Sequence, residues 1–413
     1  MADMAAAQRD GPPHRVSGAP RVLRACGSCA DLTATLTAAL ADEDCALVLL
    51  FATDGALVAP LTAALARTLG PPTLAEGRES RSGGGCRVLG CSSAGGFAFD
   101  GYDDEGVITI AFPSRTFQAN AIWLSNLRDH VAMDWMAGLR KLAREIPPEP
   151  ERARFGLLLI DGMSGREEMV TTTVDAALPD LLVLGGSAGD GLRFCRTHLA
   201  MDDQSREASA LFCLVSTDFA VEEVIFDHFT PVGERMVVTE ADPDNRIILE
   251  LNAEPAAVEY ARLIGLPDVA GLGPQAFAEN PLLERSGARH FVRAISGVTP
   301  EAGLSLMSAV ETGTILRVGR PDSLTEGLGQ RMEQIGPAEL VLGFDCILRR
   351  LAVQQAGEEA TVASLCRTHR IAGFNTYGEQ HGGIHVNQTF VGLAFQTRDP
   401  APCPETSGPT DAA

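Results

Sequence analysis

No run in the 413 residues reaches the roughly 18 consecutive apolar positions that a membrane span requires. The opening MADMAAAQRDGPPHRVSGAPR also lacks the hydrophobic centre of a signal peptide. The expectation is a cytoplasmic protein with no membrane partner. Basic charge is scarce: 33 Lys and Arg stand against 54 Asp and Glu, a net charge of −21. A field of that sign repels nucleic acid and anionic lipid, and it also keeps a protein soluble. Phosphate-cradling motifs are missing, since neither G-x-x-x-x-G-K-[ST] nor a G-x-G-x-x-G in a strand–helix context occurs. The single C-x-x-C, Cys26 to Cys29, has no second pair to complete a zinc site, so no metal is expected. Several of the ten cysteines lie in apolar runs, as Cys213 does in ALFCLV, where reduced thiols act as small hydrophobes.

What is present is a core-forming chain, 45% apolar and 21% charged. One plan recurs along it. CALVLLFAT (45–53) is a continuous apolar run, as in a strand covered on both faces. A helical pattern follows over 56–69, then a Gly/Pro-rich loop, then a strand at 87–91 ending in Ser92-Ser93-Ala94-Gly95-Gly96. The same order returns as a strand at 155–161, a helix near 167–178 and a strand at 181–186 ending in Ser187-Ala188-Gly189-Asp190. The two Ser-Ala-Gly triplets indicate an internal duplication. A looser third copy has strands at 339–344 and 371–374, a helix over 360–367, the turn Thr376-Tyr377-Gly378-Glu379, and a strand spanning 386–395. Between the last two copies, 235–240 and 246–251 alternate like a hairpin across Asp242-Pro243-Asp244-Asn245, and a helix opens at an Asn252 cap. The fold class is therefore mixed α/β: repeated strand–helix–strand units with attached antiparallel strands, the sheets flanked by helices. Residues 1–29 and 398–413 read as disordered ends.

Strand ends in small residues let backbone amides approach a ligand, and in open α/β sheets such ends are where ligands bind. A tight turn against a neighbouring element asks for the same residues. Ser92, Ser93, Gly95, Ser187, Gly189 and Asp190 are thus candidates. Gly185-Gly186-Ser187-Ala188-Gly189 formally fits a nucleophile elbow, with His198 or His228 and Asp190 as imaginable triad partners. The densest polar stretch, GFNTYGEQHGGIHVNQT (373–389), offers Tyr377, Glu379, His385, Asn387 and Thr389, either as a pocket wall or as a network bracing a loop. His228 lies between aromatic neighbours, as a core histidine or as a haem ligand would.

VLGCSSAGG (88–96) and VLGGSAGDG (183–191) resemble the FIST N-terminal domain, and GFDCILRR (343–350) with 373–389 resembles the FIST C-terminal domain. Leu348 stands where that family usually has a small residue. The resemblance implies two domains, 30–250 and 251–397. It also implies a bacterial signal-transduction sensor for a small ligand rather than an enzyme, in stand-alone form since no output module is present. Residues 227–243 are similar to a haem-binding, nitric-oxide-sensing (NosP-like) branch that acts on a histidine kinase or a cyclic-di-GMP enzyme. Three readings follow. The first is a haem sensor with His228 or His385 as axial ligand. The second is a sensor of a metabolite such as an amino acid, using Arg349, Glu379, Asn387 and the Ser-Ala-Gly turns. The third is a serine hydrolase at Ser187.

Overall fold

A computed structural model describes residues 17–70, 85–129, 132–286 and 289–398. The apolar runs are central strands buried along their whole length: Cys45–Ala52, Ala210–Thr217, Leu340–Cys346 and, for its last six residues, Ala153–Ile160. Each needs cover on two faces, and the fold supplies it three times in one way.

In the first sheet Cys45–Ala52 runs parallel to Arg87–Ser92 and antiparallel to Val107–Pro113, with Arg21–Ala25 outside. In the second, Ala153–Ile160 runs parallel to Leu182–Ser187 and antiparallel to Ala210–Thr217, with Phe117–Leu124 outside. In the third, Leu340–Cys346 runs parallel to Ile371–Thr376 and antiparallel to Thr389–Gln396, with Ala220–Asp227 outside. The chain is thus a pseudo-three-fold array, and the expected mixed α/β repeat is what the structure holds.

The units exchange hairpins. Gly96–Ala98 with Gly101–Asp103, from the first unit, caps the edge of the third sheet. Leu199–Met201 with Gln204–Arg206, from the second, caps the first sheet. Glu379–His381 with Ile384–Val386, from the third, caps the second sheet. Three of the open sheet edges are covered by this exchange. Inner faces of all three sheets meet in one core. There Phe395 packs edge-on against Phe112 (5.8 Å), Phe117 (5.6 Å) and Phe155 (5.7 Å), which come from the first two units. Each outer face carries its own helices: Cys29–Leu40 and Val58–Leu69 on the first, Ala132–Glu145 and Glu167–Ala177 on the second. The third carries Glu326–Ile335, Ile347–Ala356 and Glu359–His369.

Residues 229–321 are inserted into the third unit, between its outer strand and its first helix. They form a mainly antiparallel sheet, including Phe229–Asp242, Ile247–Leu251, Leu282–Ser286, Arg289–Arg293 and Ile315–Pro321, over a separate core.

Three expectations need correction. The lead is ordered from within: Arg21–Ala25 is a strand and a helix starts at Cys29, while residues 1–16 lie outside the described residues. At the other end Arg398 donates to the Glu151 carbonyl at 2.6 Å, and the rest of the tail is outside the described residues. The helix expected at Asn252 starts instead at Ala256, because Glu254–Pro255 first pairs back on Ile247–Leu251. The strand expected over 386–395 is two strands, because Gln388 takes a positive φ of 56° and turns the chain from the second sheet to the third.

Phe395 sits at the hub of all three units, so Phe395→Ala is expected to cost about 3–5 kcal/mol of stability. Urea unfolding of the variant checks this; a loss below about 1 kcal/mol would mean that the units do not share one core.

Candidate functional site

The second parallel strand of each unit ends at a common centre, and backbone hydrogen bonds tie the three ends in a ring. The Ala94 amide donates to the Asn375 carbonyl (2.9 Å), Gly189 to Ser92 (3.1 Å) and Tyr377 to Ser187 (3.1 Å). Small residues are needed because the strands meet so closely. A Cβ on Gly189 would stand 2.8 Å from the Ala94 nitrogen, and one on Gly95, at φ +130°, would strike the Arg350 guanidinium. The repeated Ser-Ala-Gly turn is therefore first a joint between units.

Around the ring lies a buried polar layer. Ser92 Oγ accepts from the His198 amide (2.9 Å), and Ser187 Oγ accepts from Gln380 Nε2 (2.8 Å). Arg350 donates to Asn375 Oδ1 (3.1 Å) and to Asp104, with its guanidinium over the Tyr102 ring. Arg349 is 1% exposed and donates to Asp345 (2.9 Å) and to the Leu324 carbonyl (3.0 Å). Asp345 also accepts from the Tyr102 hydroxyl at 2.7 Å. Glu379 is fully buried, and it accepts from the hydroxyls of Thr376 and Thr389 with no cation among its hydrogen-bond partners in the described residues. Burial outweighs those donors and pushes its carboxyl up to about 8. Asn387 donates to the Tyr377 carbonyl at 3.2 Å.

One cavity opens at these strand ends. It holds about 390 Å³ and is lined by Thr53, Asp54, Asp104, Glu105 and the loop Asp190-Gly191-Leu192-Arg193. Its wall is tied to every unit. Burial tends to raise the Asp190 carboxyl, yet the Tyr377 hydroxyl and the amides of Phe194, Cys195 and Arg196 hold it below the usual range. Arg193 is braced on the Asp190 carbonyl (2.8 Å), and Phe194 stacks on Tyr377 at 4.4 Å. The Gly191 amide donates to the Ser93 carbonyl, while the buried Ser93 hydroxyl has no hydrogen-bond partner among the described residues.

Of the residues singled out from sequence, Asp190 lines this cavity, and Ser93 and Tyr377 support its wall. Ser92, Gly95, Ser187 and Gly189 form the joint behind it, and Arg349, Glu379, Asn387 and Thr389 belong to the buried layer. Ser187 meets Gln380 rather than a histidine, and Asp190 is saturated by Tyr377 and three amides, so these groups are not joined as a triad. His385 is packed on Gly378 and shares a hydrogen bond with Gln380 (3.2 Å); burial lowers its imidazole to about 4. His228 is covered by Phe229 at 4.0 Å and has no partner at Nδ1 among the described residues; burial, then the charge of Arg349, lowers it to about 3. Neither histidine lines the cavity. Sequence reasoning missed Asp54, Asp104, Glu105 and Arg193, since turn residues of these types are ordinary until a hairpin exchange brings them together. Among the described residues no His, Cys, Asp or Glu cluster is arranged to hold a metal ion, and no helix is long and apolar enough to cross a membrane.

The FIST N domain matches residues 46–254 and the FIST C domain matches residues 256–381. No curated protein matches the chain.

The buried layer sets a pH profile. Glu379 holds its proton in the folded chain up to about 8 against an ordinary 4.5, so its contribution to stability falls as pH rises across that interval. His385 stays neutral down to about 4 against 6.5, so its contribution falls as pH drops through that lower interval. Glu379→Gln is therefore expected to flatten the decline of Tm between pH 5 and 8 and to leave the acid limb unchanged. Parallel slopes for variant and parent on the alkaline side would show that Glu379 is ionised in the folded protein.

Proposed function

The chain belongs to the FIST family, whose domains are signal-transduction sensors, and we propose that it senses a small metabolite carrying both an amino group and a carboxylate, as a free amino acid does. The carrying observation is the composition of the strand-end cavity wall: Asp54, Asp104 and Glu105 face an ammonium, and Arg193 faces a carboxylate. The volume of about 390 Å³ suits such a ligand. Occupancy has a physical route outward. Drawing Asp104 toward a ligand loosens its pair with Arg350, and shifting the 190–193 loop changes the Asp190–Tyr377 contact; both reach the third unit. Leu192 and Phe194, exposed on that same loop, offer apolar surface to a signalling partner such as a histidine kinase or a cyclic-di-GMP enzyme.

A haem reading draws on one observation, the neutral His228 imidazole with no partner at Nδ1 among the described residues. The fit is poor: Phe229 covers that ring, and a porphyrin would have to displace it.

The test is titration calorimetry of the full chain with the free amino acids. Binding is expected, weakened roughly 10- to 100-fold by Arg193→Ala and by Glu105→Gln, as loss of one charge-assisted hydrogen bond worth about 1.5–3 kcal/mol implies. No binding, or binding untouched by both substitutions, overturns the reading. A stoichiometric Soret band on incubation with haem, lost in His228→Ala, would transfer the function to haem.

A further inference from the structure

The inserted sheet carries a second cavity, of about 490 Å³, walled by Arg235, Arg285, His290 and Arg317 and floored in part by Leu283 and Ile315. Strand register explains the gathering. Arg317 stands opposite Leu283 across one ladder, and His290 stands opposite Arg285 across the next. Because positions two apart share a face, Arg285 and Arg317 are diagonal neighbours, roughly 7–8 Å apart. Arg235 joins them from the bulged stretch between Val232 and Met236. The carboxylate in the wall, Glu284, is matched by Arg293 at 2.7 Å. Arg235 and Arg317 make no side-chain hydrogen bond or ion pair among the described residues.

Arg235 and Arg317, both without a side-chain partner among the described residues, bring two like charges to this wall, which is unfavourable unless something compensates them. Here they are guanidiniums, whose planar forks match carboxylate and phosphate oxygens two at a time. They line a concavity of small-molecule size with an apolar floor, on a chain whose overall charge is −21. We propose that this cavity is a second binding site, for a small organic anion bearing a phosphoryl group or two or more carboxylates. The site lies in the inserted sheet and does not depend on the strand-end reading.

The experiment is titration calorimetry of the full chain at about 0.15 M salt, where long-range attraction is screened, with pyrophosphate and separately with citrate. At least one probe is expected to bind, Arg235→Gln and Arg317→Gln each weakening it tenfold or more. Arg317→Lys, which keeps charge but loses the fork, is expected to fall between, and Arg193→Ala in the other cavity to change nothing. Binding of pyrophosphate alone identifies a phosphoryl ligand; binding of citrate alone identifies a polycarboxylate. If neither binds, or if both glutamine variants bind as the parent does with unchanged Tm, the proposal is wrong. Loss of amino-acid binding in Arg193→Ala, with anion binding intact, separates the fate of the two sites.

Discussion

Three backbone hydrogen bonds hold the molecule to one centre: Ala94 to Asn375, Gly189 to Ser92 and Tyr377 to Ser187. Each crosses from one unit to another, so no unit completes its own strand end. The requirement for close backbone approach then fixes the residue types, because a side chain at Gly95 or Gly189 collides with the neighbouring unit. It also brings buried polar groups along, since strand-end amides and carbonyls cannot be left without partners.

That constraint explains the buried charges around the ring. Arg349 with Asp345, and Arg350 with Asn375 and Asp104, are costly to desolvate and add little net stability as pairs. Their directionality is what the site uses. Arg350 binds the first unit's Asp104 while it sits on a helix of the third, and Tyr377 of the third unit binds Asp190 of the second. The cavity thus borrows its rigidity from three sheets.

The inserted sheet is fastened to this body by the same kind of contact. Arg246 reaches Glu167 (2.5 Å) and Glu168 (2.8 Å) on a helix of the second unit, and Arg293 donates to the His385 carbonyl at 3.0 Å. Burial raises the Glu167 carboxyl even with Arg246 beside it, so the fastening is sensitive to the water it excludes. Arg293 also holds Glu284 in the wall of the basic cavity, so that cavity and the central body share a side chain.

Much of this was legible in the residues. Apolar runs such as CALVLLFA and FGLLLI announce strands buried on both faces, and the two Ser-Ala-Gly turns announce a repeat. Local chemistry determines these features, because burial pattern and turn geometry depend on near neighbours in the chain. The ends of elements were less legible where one residue overrides a pattern, as Gln388 does by turning the chain between two sheets. What only the tertiary structure decided is which units touch. The hairpin exchange sets Asp104, Asp190 and Arg193 around one cavity, although two of them stand 86 or more positions from the first, and it seals Glu379 and Arg349 away from solvent. Sequence carries the residue types that such a site requires; the long-range packing of three sheets, which no local pattern encodes, chooses among them.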